Sequence, residues 1–579
     1  MSRTPSTTST GAAPKQRAQP AARAALPPRY AIAITAVAVV AITWRLRVAE
    51  GDIRTNLYAG LICAAFGAVA VLLTRRLLVG TVAASALVVL VSTAAHFKRE
   101  SINLVLHAYD LVFYLPQWTT IAFLWNSYPA LVAGALGALI ATTTAIVLAY
   151  RLDATRIPRT AAATAAVAFA LGSAAAAQGM GERRHLQMGW PDLYLTSFFQ
   201  SWPETIETLW RGQLMEAAAA SDGPAFRIPR SCEPAERPPH IILIHHESLV
   251  QPSLFPTLSY DRRLDSFFQS DDGAGHQLRV ETYGGASTMT EFSVLTGLST
   301  RAFGGMRQFV QWLMAGKVRD SLPHALADCG YRNVLFYPML KSFVFAEKFF
   351  DGVGIPEIMD LKAQKARRVD ERDRFYYANL LDELARHVES RAHQPMFTLV
   401  ETMAAHGPYH FAYAPEAAVP GGGPDTHPEI NEYLRRLWLA KIDYDYLVGE
   451  LARRFPSERF LIVRYGDHQP VATRFLLGWG KTAEAEDILL QPDSKGFTTF
   501  FAINGVNFQP AQQALPGTLD VPYLGTVVLR AAALPLSDSY RSRERLITAC
   551  GGRFSDCPDR DRILAFQRRL IDSGLVLAR

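Results

Sequence analysis

Three short apolar runs in the second half of the chain end in side chains that can bind a metal or move a proton. One run ends in His-His-Glu (245–247), one leads to His406, and one ends in Asp467 followed by His468. Two carboxylates and an imidazole suit a divalent ion such as Mn, Mg or Zn. We therefore consider Glu247, Asp467 and His468 candidate metal ligands, although a Gly-Asp-His tripeptide alone is also explained by a turn with a capping aspartate.

A second candidate element is the segment TYGGASTMTEFSVLTGLS (282–299). Gly284 and Gly285 permit a tight loop, the hydroxyl residues Ser287 and Thr288 follow, and a helical apolar pattern comes next. Hydroxyl residues at this place are often only helix N-caps. A helix N-terminus, however, also offers free N–H groups and a favourable dipole to a phosphate. A hydroxyl there that bound a metal would be activated as a nucleophile.

Apolar strands that alternate with amphipathic helices must position these residues. This alternation predicts an α/β domain with a mixed, mostly parallel sheet that is covered by helices on both faces. Ligands bind at the carboxyl ends of strands in such sheets, so residues far apart in sequence can converge there. The predicted strands are 240–247, 332–338, 396–402, 459–467 and 498–506, and the predicted helices include 375–391 and 433–455.

The first 180 residues are Ala-rich and strongly apolar, unlike the remainder of the chain. Residues 1–28 lack periodicity and are mostly Ser, Thr, Ala, Pro and Arg, which predicts a disordered cytoplasmic tail. A membrane-spanning helix needs about 20 apolar residues, and five such helices are predicted in a transmembrane domain at 29–180. The apolar runs are roughly 30–44, 57–74, 77–95, 129–150 and 160–177.

The charges of the connecting loops predict the orientation in the membrane. With a cytoplasmic N-terminus, the tail and inner loops carry ten Lys and Arg and the outer connections carry seven, which agrees with the positive-inside rule. Topology then also accounts for much of the net charge of +6. We expect no nucleic-acid partner, since that would require the basic excess on a groove or a helix face.

Five spans place the rest of the chain outside the cytoplasm, provided that segment 102–125 does not cross. That segment contains His107, Asp110 and Pro116, and ionisable residues are costly in lipid. We interpret it as interfacial or re-entrant. A juxtamembrane linker at 181–235, with helices along the membrane surface, and an extracytoplasmic catalytic domain at 236–579 complete the predicted organisation.

Four of the five cysteines lie in the predicted outer part. No pair has CxxC spacing, so the sequence disfavours a zinc knuckle. Cys550 and Cys557 could form a small disulfide in an oxidising compartment. Free buried thiols are the alternative, and the sequence leaves the two open.

Together these motifs resemble the alkaline phosphatase–sulfatase superfamily. The resemblance is closer still to lipoteichoic acid synthases, phosphoglycerol transferases and phosphoethanolamine transferases. It rests on HES (246–248), GGASTMTEF (284–292), MAAHGPYHF (403–411) and YGDH (465–468), which occur in the same order, and on the five-span anchor. The resemblance implies a sulfatase-like catalytic domain.

The resemblance also implies roles for individual residues. Glu247, Asp467 and His468 would bind one divalent ion, with Mn expected and Mg or Zn as alternatives. The nucleophile of this group is usually threonine, three residues after a loop glycine; here that position is Ser287, which would also be a metal ligand, and Thr288 is the neighbouring alternative. His406 would contact the phosphate or protonate the leaving group.

One departure from the family concerns the headgroup. Lipoteichoic acid synthases carry an aromatic-Trp-Asn-Arg pattern, where this chain has PMLKSFVFAEKFF (338–350). Phe343 fits the aromatic position, but the Trp and Arg are absent, and Lys341 or Lys348 could supply the positive charge. The departure leaves phosphoglycerol and phosphoethanolamine both open.

The expected function is transfer of a phosphate-linked headgroup from a membrane phospholipid to a cell-envelope glycan or lipid, through a covalent phospho-enzyme, at the bacterial inner membrane. A phosphodiesterase would use the same residues. A typical sulfatase is disfavoured because Ser287-Thr-Met-Thr-Glu lacks the Pro and Arg of the formylglycine pattern. A non-catalytic membrane sensor is disfavoured because all the metal residues are present.

Overall fold

The computed structural model describes residues 26–102, 105–178, 180, 194–212, 214–227, 232–234, 236–390, 394–478 and 493–578. The predicted tail at 1–28 therefore lies almost wholly outside the described residues. The chain divides into two compact units. The first comprises Met1–Val48, Asn56–Leu90 and Gly134–Ala176, and the second comprises Ala49–Thr55, Val91–Ala133 and Ala177–Arg579.

Among the described residues, five helices are long and apolar enough to cross a membrane, which agrees with the predicted number. They are α1 (Pro28–Ala49), α2 (Ile53–Thr74), α3 (Leu77–Ile102), α5 (Pro129–Leu152) and α6 (Arg159–Gln178). Within the first unit, α2 and α3 approach closely, since a Cβ at Gly80 would lie 2.6 Å from the carbonyl oxygen of Gly67. The buried Asp153 accepts a hydrogen bond of 2.8 Å from the backbone N–H of Leu78, which satisfies a donor at the start of α3.

Segment 102–125 contains no helix of spanning length among its described residues. It forms a π-helical turn at Asp110–Tyr114 and part of the 10-residue helix α4 (Trp118–Ser127). Asp110 pairs with Lys98 at 2.8 Å, and Tyr109 packs against Phe309 of the second unit with ring centroids 5.6 Å apart. These contacts explain how the segment carries ionisable residues, while its place at the bilayer surface remains a prediction.

The described residues of the predicted linker contain one helix, α7 (Tyr194–Arg211). Its buried residues are both polar and apolar. Ser201 accepts a 2.8 Å hydrogen bond from the backbone N–H of Ala108, Thr205 donates to the carbonyl of Ser201, and Leu195 and Phe198 are buried as well. Leu209 and Trp210 are exposed instead. These exposed apolar side chains are compatible with the predicted position along a membrane surface.

The second unit is built on an eight-stranded sheet with the order β4-β3-β5-β1-β6-β7-β2-β8. Five of its seven pairings are parallel, and β7 runs antiparallel to both of its neighbours. This confirms the mixed, mostly parallel sheet. The strands are β1 (His240–His246), β2 (His276–Arg279), β3 (Arg332–Phe336), β4 (Glu357–Met359), β5 (Met396–Thr402), β6 (Phe460–Gly466), β7 (Thr498–Val506) and β8 (Thr518–Asp520).

All five predicted strands are present within about two residues of their predicted ends, whereas β2, β4 and β8 were missed. The missed strands are three or four residues long. A run so short contains at most two alternations of apolar and polar residues, which is too few to distinguish a strand from a loop.

Alternate side chains of the central strands enter different cores, as expected of a sheet that is covered on both faces. In β1, Ile241 and Leu243 belong to one core and Ile242 and Ile244 to the other. The second core includes side chains of α12 (Asp373–Ser390) and α13 (Pro428–Arg454), near the predicted helices 375–391 and 433–455. The remaining helices are α8 (Ser287–Thr296), α9 (Val310–Met314), α10 (Leu322–Asp328), α11 (Ala346–Gly352), α14 (Arg474–Leu477), α15 (Leu524–Ala531), α16 (Asp538–Ala549) and α17 (Arg560–Asp572).

Two disulfides join the four cysteines of the second unit. Cys550–Cys557 is the pair that the sequence left open, and Cys232–Cys329 joins the end of the linker to the residue after α10. The first bridge closes a sequence separation of 7 residues and the second a separation of 97. Both are of the kind that persists in oxidising compartments.

We expect the Cys232→Ser/Cys329→Ser double variant to lose more stability than the Cys550→Ser/Cys557→Ser variant. Loop-closure entropy predicts a loss in the range of about 2–5 kcal/mol, with the larger value for the longer loop. Thermal unfolding of the full chain in detergent, read by intrinsic fluorescence, measures both. Equal midpoints for the two double variants would contradict the expectation.

Candidate active site

The site begins at the carboxyl end of β1. Because side chains alternate along a strand, His245 points to the same face as Leu243 and, in register, lies between Glu401 of β5 and Tyr465 of β6. Glu247 follows directly after the strand and is buried. The parallel pairing of three central strands therefore delivers several polar side chains to one edge.

Asp467 follows β6 and is fixed by backbone donors from two segments. Its Oδ1 accepts hydrogen bonds of 2.7 Å from the N–H groups of Ser248 and of His468. The preceding Gly466 is required here, since a Cβ would lie 1.9 Å from the carbonyl oxygen of Leu249. This close approach brings the residues after β1 against those after β6.

The glycine-rich loop brings Ser287 to the same place as the first residue of α8. Gly284 and Ala286 both adopt left-handed backbone conformations, with φ of 73° and 64°. The loop is tied to the end of β6 through the N–H of Gly284, which donates to the carbonyl of Gln469 at 2.9 Å. One turn into the helix, the Thr290 hydroxyl donates to the carbonyl of Asp467 at 2.7 Å.

The four predicted metal residues converge. The Ser287 hydroxyl donates to Glu247 Oε2 at 2.8 Å and lies 3.4 Å from His468 Nε2. The same Nε2 lies 3.3 Å from Glu247 Oε1 and 3.2 Å from Asp467 Oδ2. Thus one nucleophilic hydroxyl, two carboxylates and an imidazole meet at the sheet edge.

His245, for which the sequence predicts no role, also belongs to this cluster. Its Nε2 lies 3.3 Å from Asp467 Oδ2, and its Nδ1 lies 2.9 Å from the Tyr465 hydroxyl. His245, Glu247 and Asp467 form a group whose ligand atoms all lie within 4.8 Å of one another. The sequence signal for including His245 is its two-residue spacing from Glu247, because residues i and i+2 of an extended strand point to the same face.

These residues fit a divalent cation. Asp467 Oδ2 is buried and accepts no hydrogen bond within the part of the chain that the structure describes. His468 Nδ1 donates to the carbonyl of Gln469 at 2.9 Å, which leaves Nε2 free to coordinate. Glu247 supplies a further oxygen, and an oxygen-rich set with a nitrogen suits Mn, Mg or Zn.

The electrostatics of the cluster favour a positive charge among the carboxylates. Burial by itself would raise the pKa of Glu247, but the charge and hydrogen bond of His468 outweigh it and hold that pKa well below its usual range. Burial would lower the pKa of His468, but Asp467 and Glu247 raise it to about 9. In the absence of a metal, a proton on His468 provides the cation that the carboxylates require.

Two further buried acids, Glu291 and Glu401, interact electrostatically with the residues of the cluster. Burial, together with nearby Glu291, raises the pKa of Glu401 well above its usual range. Burial also raises the pKa of Glu291, which accepts a 2.7 Å hydrogen bond from Gln311. A neutral Glu401 adds no charge to the cluster, so the anionic groups that face a cation are Glu247 and Asp467.

His406 lies on the loop after β5 and is exposed. Its Nδ1 donates to the carbonyl of Gly407 at 2.6 Å, so Nε2 is the ring atom that can give or take a proton. The charge of His406 contributes to the low pKa of Glu247, after burial and the larger effect of His468. His406 is therefore near enough to Glu247 for its charge to act on that carboxylate.

Arg436 of α13 holds this loop. Its guanidinium donates to the carbonyls of His406 and Pro408, the latter at 2.8 Å, and its Nε donates to Glu432 at 2.9 Å. The guanidinium also lies 4.9–5.2 Å from the ring centroids of Tyr409, Phe411 and Tyr413. A buried arginine with three hydrogen-bond acceptors and three aromatic faces restrains the backbone on both sides of His406.

The remaining predicted residues lie apart from this set of contacts. The Thr288 hydroxyl makes no hydrogen bond to a described residue, in contrast to Ser287. Lys341 is half-exposed and pairs with Glu347 at 2.6 Å. Phe343 begins a short 3₁₀ turn, Phe343–Phe345. Substrate contacts of Lys341 and Phe343 remain predictions.

Comparison with known families identifies the region that carries the cluster. Residues 239–524 match the Sulfatase family model. This part of the chain is a sulfatase domain. The match begins before β1 and includes Glu247, Ser287, His406, Asp467 and His468, so the resemblance to the alkaline phosphatase–sulfatase superfamily is confirmed.

The individual relatives of this sulfatase domain are distant. An uncharacterized protein of Haemophilus influenzae is 23% identical over 361 residues, and the match covers 60% of this chain and 63% of that protein. The chain thus matches less than two thirds of the length of that relative.

Two solved structures with similar folds are a phosphoglycerol transferase and a phosphoethanolamine transferase. The first is GacH of Streptococcus pyogenes in complex with sn-glycerol-1-phosphate, with 14% identity, a TM-score of 0.46, and coverage of 59% of this chain and 87% of that chain. The second is the lipooligosaccharide transferase EptA of Neisseria meningitidis, with 11% identity, a TM-score of 0.44, and coverage of 87% and 97%.

We expect Glu247→Gln and Asp467→Asn to weaken binding of a divalent ion by about a hundredfold or more, since even indirect partners of a metal ligand are worth about 10–100-fold. Glu401→Gln is the matched control, because a neutral carboxylic acid is close to isosteric with an amide and should be replaceable. Calorimetric titration of the metal-stripped protein with Mn²⁺ measures all three affinities. If Glu401→Gln loses as much affinity as the other two, the assigned ligand set is wrong.

We expect Arg436→Lys to increase hydrogen exchange in residues 403–413 by about tenfold or more, because the ammonium of lysine lacks the planar, five-donor guanidinium that reaches Glu432 and both loop carbonyls through separate nitrogens. Arg435→Lys is the control, since Arg435 pairs with Glu432 on the same helix but does not contact the carbonyl of His406. Exchange read by mass spectrometry should remain unchanged in β6 for both variants. Equal exchange of residues 403–413 in the two variants would show that Arg436 does not restrain the loop.

Proposed function

We propose that this protein transfers a phosphate-linked headgroup, phosphoglycerol or phosphoethanolamine, from a membrane phospholipid to a cell-envelope glycan or lipid. The observation that carries the proposal is the position of Ser287. Its hydroxyl lies at the N-terminus of a helix, 2.8 Å from Glu247 and 3.4 Å from His468. A nucleophile beside a cation site suits attack on a phosphate ester.

In the first step, Ser287 Oγ attacks the phosphorus, its O–P bond forms, and the bond from phosphorus to the diacylglycerol oxygen breaks. The Ser287 proton must leave, and Glu247 Oε2 is the acceptor that it already contacts. His406 Nε2 gives a proton to the departing oxygen. The product is a phosphodiester of Ser287 that retains the glycerol or ethanolamine.

In the second step, an acceptor hydroxyl attacks the same phosphorus and releases Ser287. His406, now neutral, takes the proton of the acceptor at Nε2, and Ser287 recovers its own proton. A divalent ion held by Glu247, Asp467, His468 and Ser287, with His245 beside them, would neutralise phosphate charge and lower the pKa of the hydroxyl. The free N–H groups at the start of α8 favour the phosphate oxygens.

The location of the proposed reaction is the outer side of a bacterial inner membrane. The five helices of spanning length among the described residues support a multi-pass anchor. If all five cross, the segment before the first and the sulfatase domain after the last lie on opposite sides of the membrane. The two disulfides support an oxidising compartment for the sulfatase domain. A membrane phospholipid is then the donor that such an anchored site can reach.

Hydrolysis of the phospho-enzyme by water would use the same residues, so a phosphodiesterase is the competing activity. Transfer and hydrolysis differ only in the second step. Product analysis with and without a glycan or lipid acceptor distinguishes them.

We expect Ser287→Ala to abolish formation of the phospho-enzyme, because no oxygen remains to attack phosphorus. Thr288→Ala should retain activity within about threefold, as its hydroxyl contacts none of the cluster, and Ser287→Thr should retain part of the activity. The measurement is mass spectrometry of residues 282–299 after incubation of the full chain with phosphatidylglycerol or phosphatidylethanolamine. The added mass identifies the headgroup, and a label on Thr288 rather than Ser287 would falsify the assignment of the nucleophile.

A further inference from the structure

The loop that carries His406 also carries an aromatic side chain that is open to solvent. Phe411 is 40% exposed, whereas Tyr409 and Tyr413 on the same loop are buried. Among the described side chains of residues 236–578, Phe411 is the only exposed Phe, Tyr or Trp. The proposed steps at Ser287 and His406 do not use this ring, so its position relative to His406 decides what it can bind.

One buried guanidinium fixes this ring beside His406. Arg436 donates to the carbonyl of His406, and its guanidinium carbon lies 5.2 Å from the ring centroid of Phe411. Arg436 is itself fixed, since its Nε donates to Glu432 at 2.9 Å. Phe411 and the backbone of His406 are thus neighbours of the same buried group. Little order is lost when a ligand covers a ring that is already held in place.

A polar pair of side chains lies near the same histidine. The pKa of Asp370 is lowered first by its hydrogen bond with Arg368 and, to a smaller degree, by the charge of His406, which places Asp370 within electrostatic reach of that imidazole. The carbonyl of Asp370 accepts a 2.7 Å hydrogen bond from Tyr413, whose ring centroid lies 5.1 Å from the guanidinium carbon of Arg436. Both side chains of the Arg368–Asp370 pair are partly exposed. His406 therefore has an aromatic ring and a carboxylate–guanidinium pair as neighbours.

A sugar ring has the chemistry that this combination recognises. The C–H groups on its faces are apolar and suit an aromatic ring, and the hydroxyls at its edge suit the planar donors of a guanidinium and the oxygens of a carboxylate. A hydrocarbon chain would instead need a continuous apolar surface. The exposed neighbours of Phe411 on the loop include the polar His406 and His410. The surface therefore favours a glycan over the acyl part of a lipid.

We propose that Phe411 is an acceptor-binding residue that stacks against a sugar ring and so directs the second step to a glycan rather than to water. The inference rests on the proposed transferase function. The sugar hydroxyl forms its O–P bond while the bond from phosphorus to Ser287 Oγ breaks, and His406 Nε2 takes the hydroxyl proton. Glu247 returns a proton to Ser287. A sugar ring stacked on Phe411 holds that hydroxyl beside His406 and displaces the water that would otherwise attack the phospho-enzyme.

The test supplies the full chain, in nanodiscs of phosphatidylglycerol and phosphatidylethanolamine, with maltopentaose, chitopentaose or sorbitol, an open-chain polyol without a ring. We expect the wild type to have a lower KM for at least one pentasaccharide than for sorbitol. Phe411→Ala should raise that KM about tenfold and increase the hydrolysed fraction, whereas Phe411→Trp should keep both near the wild-type values. Phe411→Leu should resemble Phe411→Ala, because leucine is apolar but has no flat ring. Ile442→Ala, which removes an exposed apolar side chain from α13, is the control and should leave the KM unchanged.

Three results would overturn the proposal. The first is a wild-type KM for both pentasaccharides that is no lower than the KM for sorbitol. The second is wild-type behaviour of Phe411→Leu, which would indicate apolar contact with a lipid, and the third is an equal rise of the KM in Ile442→Ala. Labelling of Ser287 by the donor lipid is measured on the same proteins. Its absence from the wild type would contradict the transferase function, whereas normal labelling with an unchanged KM in Phe411→Ala would contradict the role of Phe411 alone.

Discussion

The buried carboxylate of Asp467 is the constraint on which the site depends. One of its oxygens accepts backbone N–H groups from Ser248 and from His468, so it fixes the segments after β1 and β6 against each other. The other oxygen accepts no hydrogen bond from the described residues and lies 3.3 Å from His245 Nε2 and 3.2 Å from His468 Nε2. An unpaired buried anion is costly unless a cation compensates it. Protonated His468 or a divalent ion meets that requirement, and this balance of charge is the physical basis of the candidate metal site.

The surrounding structure supplies rigidity from both faces of the sheet. On one face, α8 places Ser287 beside the cluster and is itself tied to Asp467 through Thr290. On the other face, α13 sends Arg436 to the loop of His406. Ser287 and His406, the proposed nucleophile and proton donor, are thus positioned by different helices, and the parallel strands β5, β1 and β6 separate the segments that carry them. This division suits a two-step reaction in which the nucleophile stays fixed while different oxygens approach His406.

In the N-terminal region, the apolar composition of the sequence is enough to predict the membrane-type helices. The five apolar runs predicted from the sequence correspond to five helices. An apolar segment in a bilayer must satisfy its backbone hydrogen bonds internally, and a helix does so. The segment between α3 and α5 differs, since it buries Tyr109 against Phe309 and pairs Asp110 with Lys98. Such long-range partners are invisible in a window of sequence. The ionisable residues favour a segment that does not span, and its described residues contain no helix of spanning length.

The sequence by itself determined the α/β class, the five longest central strands, the five apolar helices, and Ser287, Glu247, Asp467 and His468 as one set. Periodicity, glycine positions and short motifs carry that information because they are local. Only the tertiary structure decided that His245 joins the cluster, that Cys232 pairs with Cys329, and that Arg436 holds the His406 loop. Each of these depends on a partner that is more than 25 residues distant, and pairing at such distance is set by strand register and helix packing. Strands of three or four residues were missed for the same reason, since their neighbours rather than their own residues make them strands.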